Sequence, residues 1–163
     1  MTKILLLSDT HSYIDDKILE YVKTVGEVWH AGDIGDIAVA ESIEKLKPLR
    51  AVYGNIDNQN IRLAYPEVQI FEVEQVKVLM IHIGGYPGRY TPQAYSLIQK
   101  EKPKIFISGH SHILKVMPDK KLDLLHMNPG AIGKSGFHQV RTMLRFAIDK
   151  GEIKDLELIE WSR

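Results

Sequence analysis

Five apolar runs along this chain each end in a short polar motif built from metal-ligand residue types. In order, the motifs are Asp9-Thr10-His11, Gly32-Asp33, Gly54-Asn55, His82 and Gly109-His110-Ser111-His112. A short, continuous apolar run bounded by polar residues reads as a β-strand buried on both faces. That constrains the fold strongly, because ligands at separate strand ends are useful only where the sheets bring those ends together. Two aspartates, one asparagine and four histidines supply seven oxygen and nitrogen donors. That number is enough for two divalent ions sharing one carboxylate.

The segments between the motifs predict the architecture. Lys3–Ser8 is the first apolar run, and Asp15–Val25 follows with Ile18, Leu19, Val22 and Val25 at helical spacing. Val28–His30 is a short strand, Ile37–Lys47 a helix stopped by Pro48, and Arg50–Tyr53 a third strand entering the Gly54-Asn55 turn. Strands alternating with helices imply right-handed crossovers and a parallel sheet. Beyond them, Val68–Val73 and Val76–Ile83 read as antiparallel neighbours, Pro92–Lys102 as a helix and Lys104–Ser108 as another buried strand. Pro118-Asp119-Lys120-Lys121 predicts a hairpin between Ile113–Met117 and Leu122–His126. Asp149-Lys150-Gly151 predicts a second between Val140–Ile148 and Glu152–Glu160, where Leu156, Leu158 and Trp161 suggest alternation. The expectation is an α/β fold with two mixed sheets packed face to face and helices outside.

With 163 residues, no linker and no internal repeat, the chain reads as one domain, 1–163. Basic and acidic residues balance at 21 each, so no global field draws the chain to nucleic acid or a membrane. The absence of cysteine excludes disulfides, zinc–thiolate sites and cysteine nucleophiles. The apolar stretch before Asp9 is too short for a signal segment or a membrane span, so a cytoplasmic location is expected.

The ordered set Asp-x-His, Gly-Asp, Gly-Asn, His and Gly-His-x-His resembles the calcineurin-like metallophosphoesterase superfamily, in its small phosphodiesterase-type members. The resemblance covers Asp9 to about Gly130. It implies a four-layer α-β-β-α sandwich and two divalent metal ions. Asp9, His11 and His112 would hold one, Asn55, His82 and His110 the other, and Asp33 would bridge both. Asp33, Asn55 and His110 would be the catalytic members of that set. A strand-like conformation at Asp9–His11 and His110–His112 would set alternate side chains side by side.

The function implied is hydrolysis of a small phosphate ester, a phosphodiester in preference to a monoester, by a hydroxide bridging the metals. Bound water ionises near pH 7 instead of at about 15.7. Two divalent ions less two carboxylates and one hydroxide leave a charge of about +1 to attract the anionic substrate. Imidazole, carboxylate and amide donors suit manganese, iron, zinc or nickel. Neither a protein nucleophile nor a nucleic-acid groove is expected, and homo-oligomerisation is left open.

One position departs from the family. A histidine that protonates the leaving group commonly follows the asparagine, whereas here the motif reads Gly54-Asn55-Ile56-Asp57. General acid catalysis is worth about 10²–10⁴-fold, so acidic leaving groups are favoured unless another acid, such as His138, takes over. Asp57, without that histidine, is left to orient a ligand or contact solvent. His30 reads as a supporting histidine and Asp36 as a helix N-cap or a support to a ligand. Arg89, in the loop Gly84–Tyr90, and His138 are candidate phosphate contacts, with the loop's tyrosines candidates for an aromatic group. The rival reading is a protein-interaction scaffold on the same fold, as in a retromer subunit. Only Ile56 points that way.

Overall fold

The computed structural model describes residues 1–163 and places two five-stranded mixed sheets face to face. The first contains β1 (Thr2–Leu7), β2 (Glu27–His30), β3 (Leu49–Ala51), β9 (Val140–Asp149) and β10 (Glu152–Ser162), in the order β10-β9-β1-β2-β3. The second contains β4 (Val68–Val73), β5 (Val76–Ile81), β6 (Ile105–Ile107), β7 (Leu114–Asp119) and β8 (Leu124–Pro129), in the order β4-β5-β6-β8-β7. β1, β2 and β3 run parallel, as the strand–helix alternation requires. β5, β6 and β8 are also parallel, with β4 and β7 antiparallel at the edges.

Between the sheets lies a core that includes Ile4, Leu6, Trp29, Val78, Met80, Ile107 and Phe146. The outer face of the first sheet is covered by α1 (Asp16–Val22) and α2 (Ile37–Glu44) through Ile18, Val22, Val39 and Ile43, with Ile61 of α3 (Gln59–Ala64) beside them. The outer face of the second is covered by α4 (Pro92–Glu101) through Ala94 and Ile98. The four-layer sandwich is therefore present.

Several boundaries differ from the sequence expectation, for local reasons. α1 and α2 end at Val22 and Glu44, earlier than expected, and each passes into a turn. α3 was not expected: it has six residues, is capped by the Asn58 side chain and buries only Ile61. The β7–β8 turn falls at Lys120–Asp123, tied by Asp119 Oδ1 accepting from Lys121 N and Leu122 N. Pro118 thus sits inside β7, an edge strand where its missing N–H breaks no inner ladder. In β10 the register shifts between Lys154 and Glu157. The extra residue sends Ile153 toward the inter-sheet core and Ile159 toward the helical side, and leaves Leu156 and Leu158 exposed.

Candidate metal centre

All seven expected ligands sit in loops that leave the C-terminal ends of β1, β2, β3, β5 and β6, so both sheets feed one site. Asp9, His11 and His112 form one group of donor atoms, and Asp33, His82 and His110 a second, each within 4.8 Å. Asn55 joins the second group, its Oδ1 lying 3.1 Å from His110 Nδ1. Asp33 Oδ2 stands 3.4 Å from His11 Nε2 and 3.1 Å from His82 Nε2, so a single carboxylate oxygen faces both groups. Asp9 Oδ1 lies 3.2 Å from His112 Nε2 and 3.7 Å from His11 Nε2. The rings pair edge to face, His11 with His112 at 5.3 Å and His82 with His110 at 5.4 Å.

The local backbone corrects one expectation. Asp9, His11, Asp33, His110 and His112 all have φ between 44° and 71°, so they are left-handed turn residues and not strand-like. Single left-handed residues turn the chain sharply, which points His110 and His112 at different neighbours. Cross-loop backbone bonds hold the geometry: Asp9 N donates to Gly32 O, His11 N to Asp33 O and Gly133 N to Asp9 O. Two glycines permit the close approach. A side chain at Gly54 would collide with the Asp33 carboxylate, and one at Gly32 with the His82 ring.

Each carboxylate spends one oxygen on the protein and presents the other to the imidazoles. Asp9 Oδ2 accepts from Ser8 Oγ (2.6 Å) and His110 N (3.1 Å), while Asp33 Oδ1 accepts from Ile56 N (3.1 Å). His82 Nδ1 donates to Ala31 O at 2.7 Å, which fixes the tautomer and leaves the Nε2 lone pair facing the centre. Asp9 Oδ1, His11 Nε2 and His82 Nε2 are buried without hydrogen-bond partners. An orphaned buried polar atom costs about 1–3 kcal/mol. Two such imidazole nitrogens facing the Asp9 and Asp33 carboxylates match the donor set of a divalent cation, so the residues fit the metals that the motifs imply.

Burial opposes ionisation of Asp9, yet the His11 and His112 imidazoles beside it hold its carboxyl well below the usual carboxylate range. The neighbouring Asp9 carboxylate raises His11, and Asp33 raises His82 despite its burial. The metal-free protein should therefore show a definite pH dependence. Histidines raised above 6.5 in the folded state stabilise it fully below that value, and the contribution is lost as pH rises through the raised values. Metal-stripped protein is expected to lose thermal stability as pH rises above 6.5. Metal-loaded protein should gain over the same range, because ligation requires deprotonated imidazole. Melting curves in chelator and in manganese check this, and parallel profiles would contradict it.

The calcineurin-like phosphoesterase superfamily domain model matches residues 2–151. The chain belongs to that superfamily. A probable metallophosphoesterase of Methanothermobacter thermautotrophicus is 30% identical over 131 residues, covering 77% of this chain and 74% of the relative. Among solved structures, zinc-complexed Vps29 from Entamoeba histolytica superposes with a TM-score of 0.75 at 16% identity, covering 98% of each chain. A structure described as a novel archaeal phosphodiesterase superposes at 0.73 with 20% identity, covering 98% of this chain and 99% of that one. The resemblance read from the motifs is thus confirmed at family level, and the superfamily implies divalent metals, for which the two donor groups offer candidate ligands.

The remaining candidate residues fall in different places. His30 is buried, accepts from Gly32 N at Nδ1 and lies 3.0 Å from Thr10 Oγ1 through Nε2. Burial pushes its pKa down to about 3, so it is a neutral strut behind the centre. Asp36 caps α2, accepting from Ala38 N. Asp57 does not face solvent: its carboxylate is buried and accepts from Gly54 N (2.7 Å), Gly35 N (2.8 Å) and Ile34 N (3.2 Å), clamping the Asp33 loop to the Asn55 loop. Arg62 adds to this clamp by donating to Asp57 O, a role with no signature in the sequence. Ile56 reaches the centre only through its backbone N–H, and its side chain is exposed. Arg89 is exposed and lies outside the cleft beside His110, whereas Tyr86 of the same loop lines it. His138 packs edge to face on His112 at 5.2 Å and meets Gly133 O through Nε2. Asn128 ties the Gly109–Ser111 turn, its Nδ2 donating to Gly109 O and Ser111 Oγ.

Proposed function

We propose that residues 1–163 act as one metallophosphoesterase domain that hydrolyses a small phosphodiester with two divalent ions of manganese, iron, zinc or nickel. The observation that carries this reading is the convergence of two buried, unpaired nitrogens, His11 Nε2 and His82 Nε2, on Asp33 Oδ2, with the buried, unpaired Asp9 Oδ1 within 3.8 Å of both nitrogens. Such an arrangement destabilises a chain that binds no cation. When bound, the ions supply positive charge for the phosphoryl oxygens and lower the pKa of water enough to generate a nucleophile at neutral pH.

The chain's own residues divide the remaining work. Asp33, held by Ile56 N, keeps its other oxygen between the two groups. His110 and Asn55 are exposed at the mouth, so they are the members of the set that a substrate reaches directly. Ile56 carries no proton to give a departing alkoxide. Aryl diesters, whose leaving group departs as a stable anion, are therefore the expected substrates, with alkyl monoesters poor.

The test resupplies metal-stripped protein with single metals and a panel of aryl and alkyl mono- and diesters. Aryl diesters should turn over fastest. Ile56→His should raise rates selectively for poor leaving groups, by up to about the 10²-fold lower bound of acid catalysis, with metal content unchanged. Faster turnover of alkyl monoesters by wild type would overturn the diester reading. The second reading, a protein-interaction scaffold, is favoured by the exposed Ile56, Ile83 and Ile113. Metal-loaded protein that hydrolyses nothing in the panel would decide for it.

A further inference from the structure

Beside His110 lies a cleft of about 300 Å³ that the metal centre does not use. Its walls include Ile83, Tyr86 and Ile113, large side chains left exposed, so the cleft offers flat apolar surface. At its floor is His126 of β8, fully buried. The His126 ring stacks on Phe106 at 5.4 Å and its Nδ1 meets Phe106 O at 3.2 Å, an acceptor that requires the proton on Nδ1. Nε2 is consequently a lone-pair acceptor, and it is buried with no partner. Burial lowers the imidazole pKa to about 4, so the ring stays neutral at ordinary pH. With one ring face on Phe106 and Nδ1 on its carbonyl, the Nε2 edge is the polar edge left for the cleft.

We propose that this cleft is a nucleobase subsite, in which the base of a nucleotide ester whose leaving group departs as a stable anion packs between Tyr86 and the isoleucines and donates an N–H to His126 Nε2. The proposal rests on the phosphoesterase reading for where the phosphate lies, since His110 borders both the cleft and the metal centre. Apolar walls accept any flat group of the right size. A buried acceptor discriminates among them, because a ring without a donor leaves Nε2 unpaired. Lys115, whose ammonium lies 4.5 Å from the Tyr86 ring centroid and pairs with no carboxylate, adds positive charge to the cleft and disfavours cationic rings. Few polar groups in a concave apolar site, each placed to select orientation, is the usual form of a small-molecule subsite.

The test uses full-length, metal-stripped protein and unphosphorylated nucleosides, so that neither hydrolysis nor metal contacts enter the readout. Adenosine, guanosine and cytidine carry amino donors on the base, while purine riboside carries none. At least one donor-bearing nucleoside should bind about three- to tenfold more tightly than purine riboside and shift the His126 imidazole ¹⁵N resonances. Tyr86→Ala should weaken binding by about tenfold, as loss of an aromatic stacking partner does. His126→Phe, which keeps the stack on Phe106, should abolish the preference over purine riboside. Tyr86 is a surface residue, so its variant answers the question even where His126→Phe fails to fold. Equal binding of purine riboside and all three other nucleosides, or no binding at millimolar concentration, would overturn the subsite. Nucleoside binding by protein that hydrolyses no ester when metal-loaded would instead overturn the phosphodiesterase reading and leave the subsite standing.

Discussion

Asp33→Asn is expected to empty both metal positions and to lower diester hydrolysis by at least about a thousandfold. The amide is nearly isosteric, so the loss comes from chemistry and not from packing. In the native site one oxygen accepts from Ile56 N and the other faces His11 and His82. An asparagine satisfies only one of these demands. With its NH₂ toward Ile56, two donors confront each other; with its NH₂ toward the imidazoles, the ligand lone pair is gone. Removing a single preorganised donor from an active site costs about 10²–10³-fold. Here a charge shared by both groups disappears with it. Elemental analysis should fall from about two ions per chain toward zero while urea denaturation of the metal-free variant stays close to wild type. A variant that retains both ions would remove Asp33 from its bridging place.

The largest effect on stability is expected at Asp57. Asp57→Ala strips the acceptors from three backbone N–H groups, those of Ile34, Gly35 and Gly54. Each orphaned donor costs about 1–3 kcal/mol, so a total of at least about 3 kcal/mol is expected, a large part of the stability of an ordinary domain. The clamp also sets the Asp33 loop against the Asn55 loop, so metal affinity should fall even in the folded fraction. Asp57→Asn keeps acceptor capacity on one oxygen and should lose about half as much. Urea midpoints at unchanged slope measure both variants. A cost below about 1 kcal/mol for alanine would mean that solvent or a neighbour replaces the clamp.

The features legible in the sequence are those that recur along it. Continuous apolar runs such as Lys3–Ser8 and Lys104–Ser108 marked central strands, because a strand covered on both faces tolerates little else. The metal-ligand residue types stood at the ends of those runs in a fixed order. Short and singular features escaped. α3 buries one residue, too few to display a period. The left-handed turns at Asp9 and His110 escaped because aspartate and histidine, though more tolerant of positive φ than most residues, adopt it in only a small share of positions. Asp57 looked like the stranded half of a catalytic pair, since its partners are backbone N–H groups that carry no residue identity. Arg89 drew notice by its charge, whereas the loop turns Tyr86 toward the cleft.

The left-handed residues also bear on how a chain of this kind can change over generations. Asp9, His11, Asp33, His110 and His112 hold positive φ without being glycine, at a cost of about 1–2 kcal/mol each. At Asp9 and Asp33 the bonds to Ser8, His110 N and Ile56 N offset that cost, but glycine at His11 or His112 would relax the backbone while deleting a donor. Folding alone therefore pulls these two histidines away from their present side chains. A lineage with no use for the cation would drift toward glycine there and become sturdier as it did so. In this chain both positions still carry histidine.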